Sequence, residues 1–131
     1  MGGTYAGNAV SCAAALATLE VFEEEKLLEN AVTRGKQLKE GLSKVSRRFP
    51  VKEIRGTGLM VALEFNEEAP YGTAFRVAAK LIDHGMLLLT CSIFETLRFA
   101  PPLVVSASDV NKAVQKIDNV FQDVFGATKA Q

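Results

Sequence analysis

At Pro50 the hydrophobic period of the chain changes, and that change limits the folds open to it. Before it, from about Lys26 to Phe49, Leu28, Ala31, Gly35, Leu38, Leu42, Val45 and Phe49 recur at alternating spacings of three and four. That spacing predicts a helix with one narrow apolar seam. A coiled-coil seam would read the same way, but a stripe of three heptads suits an ordinary core face. From Val51 the period is two: Leu59, Val61, Leu63 and Phe65 alternate with Met60, Ala62 and Glu64, which predicts a half-buried strand. Arg55-Gly56-Thr57-Gly58 is the expected turn or bulge leading into it.

The remaining segments fall into the same two classes. Residues 1–7 are a Gly-rich loop, and Asn8 is a candidate N-cap for a helix running to about Glu24. Ala9, Cys12, Ala13, Leu16 and Leu19 lie on one face of that helix, and Val10, Ala14, Ala17 and Val21 on another. A helix so apolar nearly all round is expected to be buried or packed between two partners. Residues 73–84 carry Ala74, Val77, Ala78, Leu81 and Ile82 at helical spacing, with Gly85 as a left-handed stop and a strand expected at Met86 to Leu89. Leu97-Arg98-Phe99 reads as a short strand closed by Pro101-Pro102, which lack N–H groups for a ladder. Ser106 with Asp109 makes a capping-box start for a last helix, striped by Val110, Ala113, Val114, Ile117, Phe121 and Val124. Helices segregated from a small, mostly antiparallel sheet make a two-layer α/β (α+β) sandwich.

Charge and composition exclude several partners. The 131 residues hold 15 Lys plus Arg against 15 Asp plus Glu, so no net charge draws the chain to nucleic acid or to an anionic membrane. The 48% apolar content is high for a chain of this size and implies apolar surface that something else covers. Two cysteines, Cys12 and Cys91, make no secreted disulfide framework and point to a reducing cytoplasm. The charge-free first 19 residues lack a basic n-region, and Gly7, Asn8 and Ser11 interrupt them, so the expectation is a soluble chain.

Few residues carry chemistry. Gly56 and Gly58 lack the third glycine of a dinucleotide loop, and Asn8 stands where a P-loop needs lysine. Gly2-Gly3-Thr4 offers N–H groups and a hydroxyl ahead of a helix, which would suit a phosphate and would equally suit an ordinary Gly-rich loop. His84 is the one histidine, which excludes a two-histidine metal site built within the chain, and no metal site is assigned. It is expected to face the last carbonyls of its helix. Cys12 reads as packing, and Cys91 lies in an irregular, exposable stretch, Thr90 to Glu95, with no base partner in view. Arg98, between Leu97 and Phe99, needs a carboxylate, either in a structural salt bridge or on a bound molecule.

Taken in order, Gly2-Gly3-Thr4-Tyr5-Ala6-Gly7-Asn8, Arg55-Gly56-Thr57-Gly58-Leu59-Met60 and Leu97-Arg98-Phe99-Ala100-Pro101-Pro102-Leu103 resemble the C-terminal part of the class III aminotransferases. These are fold type I enzymes that use pyridoxal 5′-phosphate. The stretch Met86 to Ser92 looks most like the 4-aminobutyrate aminotransferases; ornithine or acetylornithine types are the alternative. The resemblance implies a connecting segment at residues 1–25 and a small C-terminal domain at 26–131. It implies that Thr4 and the neighbouring backbone at Gly3 contact the cofactor phosphate of the other subunit in a homodimer. It implies that Arg98 binds the α-carboxylate of the substrate, and swings to an acidic residue when the other amine donor is bound. Tyr5, Gly7 and Asn8 match the motif without chemistry, and Arg55, Gly56 and Gly58 look structural. The lysine that binds the cofactor covalently belongs to a large domain expected before residue 1, and no lysine here sits in a matching motif. No catalytic residue is therefore assigned, and the chain by itself is expected to be inactive. The contrasting expectation is a free-standing, non-catalytic binding or dimerisation module of the same fold.

Overall fold

The computed structural model describes residues 3–91 and 94–126; Gly2 of the loop motif and Ser92 of the leucine-rich motif lie outside them. The order of elements is α1 (Ala9–Glu24), α2 (Leu27–Ser46), β1 (Val51–Thr57), β2 (Met60–Phe65), α3 (Thr73–Asp83), β3 (Leu89–Cys91), β4 (Phe94–Phe99) and α4 (Ala107–Gly126). All strand pairs are antiparallel, in the order β1-β2-β4-β3. Leu63 and Leu97 face each other across the central pair and both are fully buried. Around them pack Leu38, Leu42 and Val45 of α2, Val77 and Leu81 of α3, and Ile117, Val120 and Phe121 of α4. Phe49, Phe65, Phe121 and Phe125 add a ring cluster, with the Phe49 and Phe121 centroids 5.3 Å apart and edge to face. The two-layer α/β sandwich is therefore the fold, with α2, α3 and α4 on one face of the sheet.

The helix ends follow their local chemistry. Asn8 Oδ1 accepts from the N–H groups of Val10 and Ser11, both at 3.1 Å. Ser106 Oγ accepts from the Asp109 N–H at 3.1 Å and donates to its carboxylate at 2.6 Å. That hydroxyl is the main reason the Asp109 carboxyl lies below its usual range. Gly85, at φ +66°, closes α3 as expected: its N–H reaches the Ile82 carbonyl, and that of Met86 reaches Leu81, a Schellman pair.

Several expectations are corrected. Arg55-Gly56-Thr57 belongs to β1 and is not a turn; the hairpin turns at Gly58 and Leu59. Gly56 sits in the strand at φ +134°, where a Cβ would lie 2.1 Å from the Met60 carbonyl oxygen. The seam of α2 begins at buried Leu27 and not at Leu28, which is 70% exposed, because Lys26 turns left-handed at φ 50° and resets the first turn. Ile82 likewise falls on the solvent side of α3. The third strand is Leu89–Cys91, not Met86–Leu89; Met86 and Leu88 pack on the core without strand pairing. Thr90 and Cys91 are thus paired and half-buried where an irregular stretch was expected.

Helix α1, expected to be buried or packed between two partners, finds no such cover within the described chain. It contains no buried residue, and Cys12 is exposed. The chain exposes 8880 Å², whereas a folded chain of this mass is expected to expose roughly 6,700 Å². The uncovered α1 accounts for the direction of that excess.

Candidate functional site

One row of side chains crosses the sheet on the face away from the helices. Arg55 of β1 pairs with Ala62 of β2, Ala62 with Arg98 of β4, and Arg98 with Leu89 of β3. Alternation puts the inward partners Ile54, Leu63, Leu97 and Phe99 into or against the core, and leaves this row outside. Leu89, Met60 and Phe94 on the same side are each more than half exposed. Arg98 is exposed among them and makes no hydrogen bond or ion pair among the described residues. The expected structural salt bridge is therefore not formed within the described part of the chain. A guanidinium with apolar neighbours and no internal carboxylate is a ready fork for an external one.

Arg55 is the opposite case. Its Nη1 lies 2.6 Å from a Glu53 oxygen and 2.6 Å from Glu64 Oε2, while Lys52 Nζ lies 2.7 Å from Glu64 Oε1. Hydrogen bonds from Lys52 and Arg55 hold the Glu64 carboxyl below its usual range, and Glu64 in turn raises both bases. The sequence motif marked Arg55 as structural, but its carboxylate partner was missed. The signal was available in the parity of a hairpin: Arg55 and Glu64 share a face once the turn is placed at Gly58.

Gly3 and Thr4 lie in an exposed turn, where the Gly3 carbonyl accepts from the Ala6 N–H at 2.9 Å and Tyr5 from Asn8 at 3.2 Å. The Thr4 hydroxyl has no hydrogen bond among the described residues. No hydrogen bond among the described residues joins this turn to the row of Arg98, and α1, which follows the turn, buries no residue against the rest of the chain. The two candidate sites are thus carried by separate elements. His84 is exposed at the end of α3, but the job expected of it falls to Lys116, whose Nζ donates to the His84 carbonyl at 2.7 Å. Glu95 was not singled out by sequence. Its two oxygens accept from the N–H groups of Gly72 and Ala74 at 2.6 and 2.8 Å, capping α3 from the end of β4. No cluster of metal-ligating side chains occurs among the described residues, and no described helix is long and apolar enough to cross a membrane.

Comparison with known proteins decides the family, since the model of the class-III aminotransferases matches residues 1–121. The chain belongs to the class III aminotransferases. It is 34% identical to the 4-aminobutyrate aminotransferase GabT of Escherichia coli, over 94% of this chain and 30% of that protein. Its identity to the acetylornithine aminotransferase of Prochlorococcus marinus is 37%, over 92% of this chain and 29% of that protein. Among solved structures, the ornithine aminotransferase of Toxoplasma gondii, which was found with partial occupancy of PLP at its active site, superposes with a TM-score of 0.87. It is 33% identical, over 98% of this chain and 30% of that one. The chain thus spans about a third of the length of these class III aminotransferases or slightly less. Class III aminotransferases work with pyridoxal 5′-phosphate; the open Gly3–Thr4 turn offers backbone groups and a hydroxyl with no hydrogen bond among the described residues, groups that could hold a phosphate. Lys39, Lys52, Lys80, Lys112 and Lys116 are engaged on the surface with Gly56, Glu64, Asp123, Asp109 and His84.

Proposed function

We propose that this chain is the small domain, with its connecting segment, of a pyridoxal-phosphate-dependent transaminase that moves a terminal amine from an ω-amino acid to 2-oxoglutarate. The Arg98 guanidinium, which has no ion pair among the described residues and lies on the open sheet face, carries the reading. Its planar fork would take the α-carboxylate of the dicarboxylate substrate in two parallel hydrogen bonds, and orientation of the substrate is much of the catalysis in such enzymes. The cofactor, when bound, supplies the means of storing the amino group between half-reactions. Thr4 and the Gly3 backbone would hold its phosphate across the interface of a homodimer. The lysine that fixes the cofactor would come from the large domain, so the chain by itself would not turn over.

The relatives support the donor class but differ within it. Their names cover 4-aminobutyrate, 5-aminovalerate and acetylornithine. A donor of the 4-aminobutyrate or 5-aminovalerate kind is our preferred reading, with the acetylornithine or ornithine kind as its alternative. The division into residues 1–25 and 26–131 is supported by the core, which draws every buried residue among those described from Leu27 onward. The free thiols of Cys12 and Cys91 suit a cytoplasmic setting.

The deciding experiment is single-turnover kinetics on the full-length enzyme that contains this chain. Arg98→Ala is expected to slow the glutamate half-reaction about tenfold more than the half-reaction with a monocarboxylate amine donor, the worth of a charge-assisted hydrogen bond. Equal losses in the two half-reactions would overturn the assignment.

A further inference from the structure

Resting on the assignment of Arg98 to the substrate carboxylate, we infer that Lys52 and Arg55 are positioning residues that hold the Glu64 carboxylate away from Arg98. In this way the chain keeps its substrate-binding guanidinium from being neutralised by its own sheet. Glu64 pairs directly with Thr96, and Arg98 lies two residues further along the same face of β4. Such diagonal neighbours are about 7–8 Å apart between backbones, within the combined reach of an arginine and a glutamate side chain. Of the other carboxylates on the strands, Glu53 sits on β1 and is tied to Arg55, and Glu95 is committed to the α3 N-terminus. Glu64 is therefore the one carboxylate of the sheet poised to capture Arg98.

It does not do so, and the reason is visible in both of its oxygens. Oε1 goes to Lys52 and Oε2 to Arg55, so the carboxylate is drawn toward β1 by two cations. The strand on the other side shows the complementary vacancy of interactions. The Thr96 hydroxyl, directly opposite Glu64 and 1% exposed as a residue, has no hydrogen-bond partner among the described residues. A carboxylate turned toward β4 would meet that hydroxyl and then Arg98. The lowered carboxyl of Glu64 and the raised bases of Lys52 and Arg55 agree with a strong preference for the β1 side. The small side chain of Ala62, between Arg55 and Arg98 in the row, leaves the path across β2 open, so it is charge pairing and not a steric wall that keeps the two sides apart.

The inference is tested in the full-length enzyme with 2-oxoglutarate as substrate and glutarate, an unreactive dicarboxylate of the same length, as competitor. The double variant Lys52→Gln/Arg55→Gln releases Glu64 toward Arg98. It is expected to raise the KM for 2-oxoglutarate and the inhibition constant of glutarate about three- to fivefold, the scale of an exposed ion pair, with kcat unchanged. Adding Glu64→Gln to the same variant is expected to restore both constants, which a merely structural loss would not allow. Lys52→Gln alone, a milder change should the double variant fold poorly, is expected to move both constants in the same direction by about twofold. Unchanged constants in the first and last variants, or no recovery on adding Glu64→Gln, would overturn the inference. Failure of the Arg98 assignment itself is told apart by Arg98→Ala, which would then leave glutarate inhibition as it was.

Discussion

Helices α1 and α2 follow one another directly and are nearly equal in length, yet they contribute to the fold in opposite ways. The more apolar of the two, α1, buries nothing; Val10, Leu16 and Leu19 are each more than 60% exposed. The more polar α2 buries Leu27, Gly35, Leu38, Leu42 and Val45. What decides burial is the sorting of apolar groups onto one side, not their total, because a helix must present its polar residues to water while it packs. An unsorted helix such as α1 can be satisfied only by protein on more than one side, and the rest of this chain buries none of its residues.

Identical substitutions on the two helices put that contrast to the test. Leu42→Ala, at a fully buried position, is expected to cost about 2–5 kcal/mol in chemical denaturation of the chain. Leu16→Ala, 62% exposed, is expected to change it by less than about 0.5 kcal/mol. Comparable costs would show that α1 has found a partner in solution. Gly35→Ala comes next: its Cβ would sit 2.0 Å from the Gly58 carbonyl oxygen, and the overpacking is expected to cost about 1–3 kcal/mol, although alanine favours helix. Asn8→Ala acts only locally. It removes the cap of α1 and is expected to weaken that helix locally by about 1 kcal/mol, seen as faster amide exchange at its first turn, while the global unfolding midpoint stays put.

Much of the architecture was legible because local chemistry agrees with the final contacts. The Asn8 and Ser106 caps, the Gly85 stop and the alternation from Leu59 to Phe65 all do in the structure what their residue types favour. Legibility failed where tertiary contacts override local preference. Gly56 and Gly58 look like a break, yet Gly56 lies inside β1 because a close backbone approach to Met60 requires a residue without a side chain. Leu28 continues the spacing of its helix, but the left-handed Lys26 sets the register one residue earlier. For the candidate site, the motifs singled out Arg98, Thr4 and Gly3, but residue types alone could not say that Arg98 would stand without an ion pair among the described residues while Arg55, two strands away across β2, has two. That difference depends on strand order and register, which are properties of pairing between distant segments.

The strand order has a kinetic meaning as well. The β1-β2 hairpin joins neighbours in sequence, but Leu63 meets Leu97 only after the whole of α3 has been traversed. Closing that longer loop carries the larger entropic cost, and contacts of high sequence separation come late in folding. Ala62 acquires Arg98 as its neighbour through this same pairing. The local elements, helices and hairpin alike, can therefore assemble before β4 reaches β2, and the row of side chains that holds Arg98 is expected to be among the last parts of the sheet to exist.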